Sequence, residues 1–82
     1  MESVEHGVIS AFAWITEYEY DYLKNNLDKN FEELDIDFLD IVEVCMEIEE
    51  KFDLEGIQDN DIENFKTIKD VIDFVETQRS RD

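Results

Sequence analysis

The stretch that decides the fold is DFLDIVEVCMEIEEKF, residues 37–52. Its apolar side chains recur every three or four residues and cover more than half of a helical wheel, which predicts a long amphipathic helix. They are Leu39, Ile41, Val42, Val44, Cys45, Met46, Ile48 and Phe52. Asp37 is the predicted N-cap, and Asp40 lies in the first turn, where the helix dipole stabilises a negative charge. We therefore predict one long helix over Asp37–Phe52.

Two further main helices are predicted outside this stretch. The first covers Ser3 to Thr16, with Ser3 as its cap and Gly7 weakening it by about 1 kcal/mol relative to alanine. Its apolar stripe is Val4, Val8, Ala11, Phe12 and Ile15, with Trp14 at the edge.

The last main helix begins at Thr67, where Asp70 completes an approximate capping box. Its stripe is Ile68, Val71, Ile72 and Val75, with Phe74 at the margin. A short helix is expected at Asp59–Asn64, after a turn that ends at Gly56.

Residues 17–36 lack sustained periodicity, which predicts a long loop containing at most a short helical turn. Isolated apolar residues can pin such a loop across a helical core: Tyr20, Leu23, Leu27, Phe31 and Leu34. The chain has no proline and only two glycines, a composition that favours helices over strands and turns. We therefore predict an all-α fold, a four-helix bundle with three main helices, a short third helix and a long first loop. Its 82 residues suit a single domain, 1–82.

The net charge is −17, from 24 acidic and 7 basic side chains. Nucleic acids and anionic membrane surfaces repel so negative a surface, since their binding depends on lysine and arginine neutralising phosphate. A protein partner with a basic patch is the electrostatic expectation. The chain is expected to be a monomer.

The rest of the composition points to a cytoplasmic protein. Cys45 is the only cysteine and cannot form an internal disulfide, which fits a reducing compartment. No apolar run approaches the ~20 residues that span a bilayer. The start, MESVEHG, has acidic residues where a leader sequence would have basic ones.

The segment NFEELDIDFLDIVEVCMEIEEKFDLE, residues 30–55, resembles the acyl carrier protein family. Members typically show an aromatic residue, an acidic residue followed by leucine, and Asp-Ser-Leu-Asp at the start of an acidic helix that ends in Glu-Glu-x-Phe. The matching residues here are Phe31, Glu33, Leu34, Asp37, Leu39, Asp40, Glu43, Glu49, Glu50 and Phe52. FKTIKDVIDFV, residues 65–75, is similar to the closing helix of the family. Two smaller departures are Gly56, which looks inserted, and Gln58, where many members have proline.

One departure concerns the prosthetic group. The resemblance implies a serine that carries 4′-phosphopantetheine through a phosphodiester, and its place is taken by Phe38. A phenyl ring has no oxygen to phosphorylate, and Ser3, Ser10 and Ser80 lie near the chain ends. We therefore expect no cofactor. Phe38 is either natural, in a member that lost loading or gained a new task, or an introduced substitution.

The resemblance also implies where a partner binds. In carriers the acidic row on this helix contacts basic patches on synthases and transferases, although a charge run by itself more often marks a solvated face. The candidate partner-binding residues are Asp37, Phe38, Asp40, Glu43, Met46, Glu47 and Glu50. Phe38 is predicted to be partly exposed as an aromatic anchor, the alternative being an ordinary core phenylalanine.

No catalytic or metal site is predicted. A nucleophile needs an oriented base beside it, and one histidine, one cysteine and no glycine-rich loop do not assemble one. Cys45 suits a small buried hydrophobe better than a substitute thiol, and His6 is expected to be a surface residue. Neither Asp53–Asn64 nor Asp35–Asp37 matches a calcium loop.

The functional expectation is a non-catalytic, acyl-carrier-like protein that binds basic partners through the Asp37–Phe52 helix and is not phosphopantetheinylated. The alternative is an acyl carrier protein of fatty-acid or polyketide-type biosynthesis in which Phe38 is a variant or engineered residue. A free-standing adaptor unrelated to acyl metabolism is compatible with the same surface.

Overall fold

The computed structural model describes residues 3–80, which form five helices and no extended strand. The helices are α1 (Val4–Thr16), α2 (Tyr20–Lys24), α3 (Phe38–Phe52), α4 (Asp59–Asn64) and α5 (Ile68–Ser80). The predicted all-α class is confirmed. Within residues 17–36, the short helical turn that the sequence allowed is α2, a helix of five residues.

Helix α1 packs against α2, α3 and α5. The Ser3 hydroxyl caps it by accepting the His6 N–H at 3.1 Å, as predicted. Val8 and Phe12 are fully buried, whereas Trp14 is 76% exposed and lies outside the stripe. None of the helices in residues 3–80 is long and apolar enough to cross a membrane.

Helix α2 and the segment after it are held by buried apolar side chains, as the sequence predicted. Leu23, Phe31 and Leu34 are buried, and the rings of Phe12 and Phe31 stack with centroids 5.7 Å apart. Main-chain bonds add to this anchoring, since the Phe31 N–H donates to the Lys66 carbonyl at 2.9 Å. The segment before α3 is therefore fixed to the start of α5.

Helix α3 ends at Phe52, as predicted, but the turn that follows it differs from the prediction. Asp53 adopts the left-handed conformation, with φ of 53°, and its N–H donates to the Glu49 carbonyl. Gly56 does not have a positive φ, so the expectation that Gly56 closes this turn is wrong. Aspartate tolerates the left-handed region because its short polar side chain can bond locally.

The boundaries of the last two helices follow the prediction. Helix α4 covers the predicted Asp59–Asn64 and packs on α3. At the start of α5, the Thr67 hydroxyl accepts the Asp70 N–H at 3.1 Å, and the Asp70 carboxylate accepts the Thr67 N–H at 3.1 Å. The reciprocal capping box is therefore present.

Candidate functional site

The start of α3 is fixed by a reciprocal cap. The Asp37 carboxylate accepts the Asp40 N–H at 2.9 Å, and the Asp40 carboxylate accepts the Asp37 N–H at 3.4 Å. This arrangement satisfies two backbone donors that helix geometry leaves without intrahelical partners. Phe38 is consequently the first residue of a well-defined helical turn.

Phe38 belongs to an apolar group that α3 presents to solvent. Phe38 is 50% exposed, Leu39 71% and Met46 60%, which confirms the predicted partial exposure of Phe38. The opposite side of α3 is buried in the core through Ile41, Val44, Cys45 and Ile48. Large exposed apolar side chains on one helix face are typical of surfaces that contact other molecules.

The predicted acidic residues share the solvent side of α3 with these apolar side chains. Glu43 and Glu50 are exposed, and Asp40 and Glu47 are partly buried. Glu43 and Glu47 are four residues apart, a spacing at which like charges destabilise a helix by a few tenths of a kcal/mol. We call Asp37, Asp40, Glu43, Glu47 and Glu50, together with Phe38, Leu39 and Met46, the α3 face. A cation placed against this face relieves the repulsion.

Glu49 has a structural role that the sequence did not reveal. Its carboxylate accepts the Ile57 N–H at 2.6 Å and so holds the segment that follows α3. Glu49 therefore belongs to the α3–α4 connection rather than to the α3 face. No local pattern announces this contact, because the two residues are eight positions apart across an irregular segment.

A groove opens beside Phe38, between the start of α3, the preceding segment and α4. Its volume is about 600 Å³. The apolar lining consists of Phe31, Ile36, Phe38, Ile41, Ile62 and Phe65, and the polar lining of Asn30, Glu32, Asp37, Glu63 and Lys66. None of these side chains has a hydroxyl or thiol group. The residues at this end of α3 therefore do not fit a phosphodiester-linked group.

Cys45 does not offer a substitute attachment point. Its side chain is 2% exposed in the core. Burial, and secondarily the negative charge of Glu49, raise the pKa of the Cys45 thiol to about 12. Because the thiolate is the reactive form, Cys45 is chemically quiet, as expected for a small buried hydrophobe.

The structure places His6 on the surface, as predicted, but gives it a neighbour. His6 Nδ1 lies 3.1 Å from the Tyr20 hydroxyl, and the two rings are 5.2 Å apart. This pair links α1 to α2 and lies outside the α3 face. Within residues 3–80 there is no cluster of three or more histidine, cysteine, aspartate or glutamate side chains that could hold a metal ion.

The comparisons with known proteins agree on one family. The family model described as "Phosphopantetheine attachment site" matches residues 13–75. The acyl carrier protein of Exiguobacterium sibiricum is 43% identical over 53 residues, which are 63% of this chain and 66% of the relative. That of Helicobacter hepaticus is 46% identical over 48 residues, 58% of this chain and 62% of the relative. Against these two, the match spans less than two thirds of the relative's length.

A fuller match comes from Buchnera aphidicola subsp. Schizaphis graminum. Its acyl carrier protein is 33% identical over 81 residues, 99% of this chain and 100% of the relative. No solved structure gives a significant match to the chain. The family model, the full-length relative and the helical architecture agree. The chain therefore belongs to the phosphopantetheine attachment site family, which includes the acyl carrier proteins.

Proposed function

We propose that this protein is a non-catalytic member of the acyl carrier family that works without the phosphopantetheine arm. It binds a carrier-dependent synthase or transferase that has a basic patch, and the α3 face forms the contact. The observation that carries this proposal is Phe38, a half-exposed phenyl ring at the first position of α3.

The composition of the α3 face supports a protein partner. Aromatic and methionine side chains are enriched in protein interfaces, where buried aromatic anchors contribute much of the binding energy. Phe38, Leu39 and Met46 supply such anchors, and the neighbouring carboxylates attract lysine and arginine. Charge complementarity of this kind mainly raises the association rate and the selectivity, and it weakens as salt is added. We expect strong salt dependence of binding.

The chemistry near Phe38 supports the absence of the arm. Loading forms a bond between the phosphate of the arm and a side-chain oxygen, and neither Phe38 nor another residue lining the neighbouring groove has a hydroxyl. Incubation with a promiscuous phosphopantetheinyl transferase and coenzyme A, followed by intact mass measurement, tests this point. We expect no mass increase.

The Phe38→Ser variant is the matched control for loading. We expect it to gain one phosphopantetheine arm, because the rest of α3 remains available to the transferase. An increase in the mass of the unaltered chain would overturn the proposal. It would favour the second candidate, an ordinary carrier role in fatty-acid or polyketide-type biosynthesis, which the names of the relatives support.

Charge reversal on the α3 face tests binding. Asp40 is unsuitable because its carboxylate caps the helix, whereas Glu43 and Glu50 are exposed. We expect Glu43→Lys/Glu50→Lys to abolish low-salt capture of the partner from extracts of the source cells. The control Glu55→Lys/Glu76→Lys changes the net charge equally at exposed positions outside the face and should retain the partner. Retention by both variants would contradict binding through the α3 face.

A further inference from the structure

The core side chains that keep some solvent exposure lie mostly along the groove beside Phe38. Most core side chains are 0–2% exposed, among them Val8, Phe12, Val44 and Val71. Those that line the groove keep 4–8% exposure: Phe31, Ile36, Ile41, Ile62 and Phe65. The groove is therefore an open cleft whose floor is the edge of the core. Its volume, about 600 Å³, lies within the range of ligand-binding clefts.

The rim of the groove is acidic. Glu32, Asp37 and Glu63 contribute three carboxylates, and Lys66 contributes one ammonium group. Glu32 and Glu63 are exposed, so their charges reach a molecule at the entrance. A free carboxylate or phosphate is repelled there by the rim and by the net charge of −17. A cationic group is attracted.

We propose that this groove binds a short basic and apolar segment of a partner protein. One apolar side chain of leucine or phenylalanine size enters the groove against the Phe38 ring and contacts the partly accessible core residues. Lysine or arginine residues on either side of it pair with Glu32 and Glu63. This site shares Asp37 and Phe38 with the α3 face but goes beyond the proposed function, because its rim and floor also use Glu32, Glu63 and core residues, while Glu43, Met46 and Glu50 do not line it.

A direct test uses a defined probe, the N-acetylated and C-amidated peptide Lys-Lys-Leu-Phe-Lys-Lys, titrated into the full ¹⁵N-labelled chain at low ionic strength. We expect saturable shifts of backbone amide signals in residues 30–36 and 62–66. Two control peptides separate the contributions: one has Ser-Ser in place of Leu-Phe, and the other has glutamate in place of every lysine. Both should bind more weakly than the probe.

Shifts that centre on residues 43–50 instead would overturn the groove as the site while supporting the α3 face. Equal binding of the Ser-Ser peptide would also overturn it, because the apolar side chain would then contribute nothing. Decanoate provides a further control. Tighter binding of decanoate than of the peptide would overturn the inferred preference for a cationic partner.

Variants of the rim and wall complete the test. Reversing two of the three rim carboxylates in Glu32→Lys/Glu63→Lys should weaken peptide binding by about tenfold at low salt, with Glu55→Lys/Glu76→Lys as the charge-matched control. Phe38→Ala should weaken binding because it removes one wall of the groove. Tighter binding by Phe38→Ala would mean that the Phe38 ring itself competes for the groove, and it would overturn the assignment.

Discussion

Replacing Gly7 with alanine tests how closely α1 approaches the end of α3. A Cβ atom on Gly7 would overlap the Phe52 ring and lie 3.3 Å from Lys51 Cδ. At this contact the Gly7 carbonyl accepts a hydrogen bond from Lys51 Nζ at 3.3 Å. The Arg79 guanidinium lies over the Phe52 ring, 5.1 Å from its centre.

One stabilising and two destabilising terms determine the size of the effect. Helix propensity alone predicts that Gly7→Ala stabilises the protein by up to about 1 kcal/mol. Overpacking costs about 1–3 kcal/mol, and turning the Phe52 ring aside costs about 0.5–1 kcal/mol of its cation–π contact with Arg79. The packing cost is the larger, so we expect a net loss of about 1 kcal/mol in the free energy of unfolding.

A double-mutant cycle measured by urea unfolding checks this reasoning. In the Phe52→Ala background the obstruction is gone, and Gly7→Ala should stabilise the protein by about 0.5–1 kcal/mol. The coupling free energy between the two positions should therefore exceed about 1 kcal/mol. Equal stabilisation by Gly7→Ala in both backgrounds would refute the close contact between α1 and Phe52.

Three further predictions concern charge and capping. The pKa of Cys45 is raised to about 12 in the folded state from an ordinary 9.0. The folded protein therefore keeps the thiol proton up to a higher pH than the unfolded protein does. Its free energy of unfolding should fall by about 1.4 kcal/mol per pH unit above about pH 9 relative to Cys45→Ala; parallel pH profiles would contradict this. Asp37→Ala removes the cap of α3 and should cost about 0.5–2 kcal/mol in urea unfolding, so unchanged stability would argue against the capping box. Adding NaCl or Mg²⁺ should raise the Tm measured by circular dichroism, because the net charge of −17 is screened; an unchanged or lower Tm would count against self-repulsion.

The sequence predicted part of the α3 face: register alone did not decide the exposure of Phe38, and Leu39, which is 71% exposed, was not among the predicted partner-binding residues. Helical spacing does place Glu43, Glu47 and Glu50 on one side of the helix, and Asp37 is the predicted N-cap. These inferences need only neighbours within one or two turns, where helix geometry fixes relative positions. Periodicity did not identify Glu49 as the residue that holds the α3–α4 connection, because Ile57 lies in an irregular segment.

The sequence by itself determined the all-α class, the starts of the four predicted helices to within one residue and the excess of negative charge. These depend on local spacing, cap residues and composition, which act over a few residues. Tertiary structure alone decided that a side chain at Gly7 would meet the Phe52 ring and that a groove opens beside Phe38. Each of these involves contacts between α1, α3, α4 and the segment before α3. Only the path of the folded chain brings such distant residues together, so no local pattern encodes them.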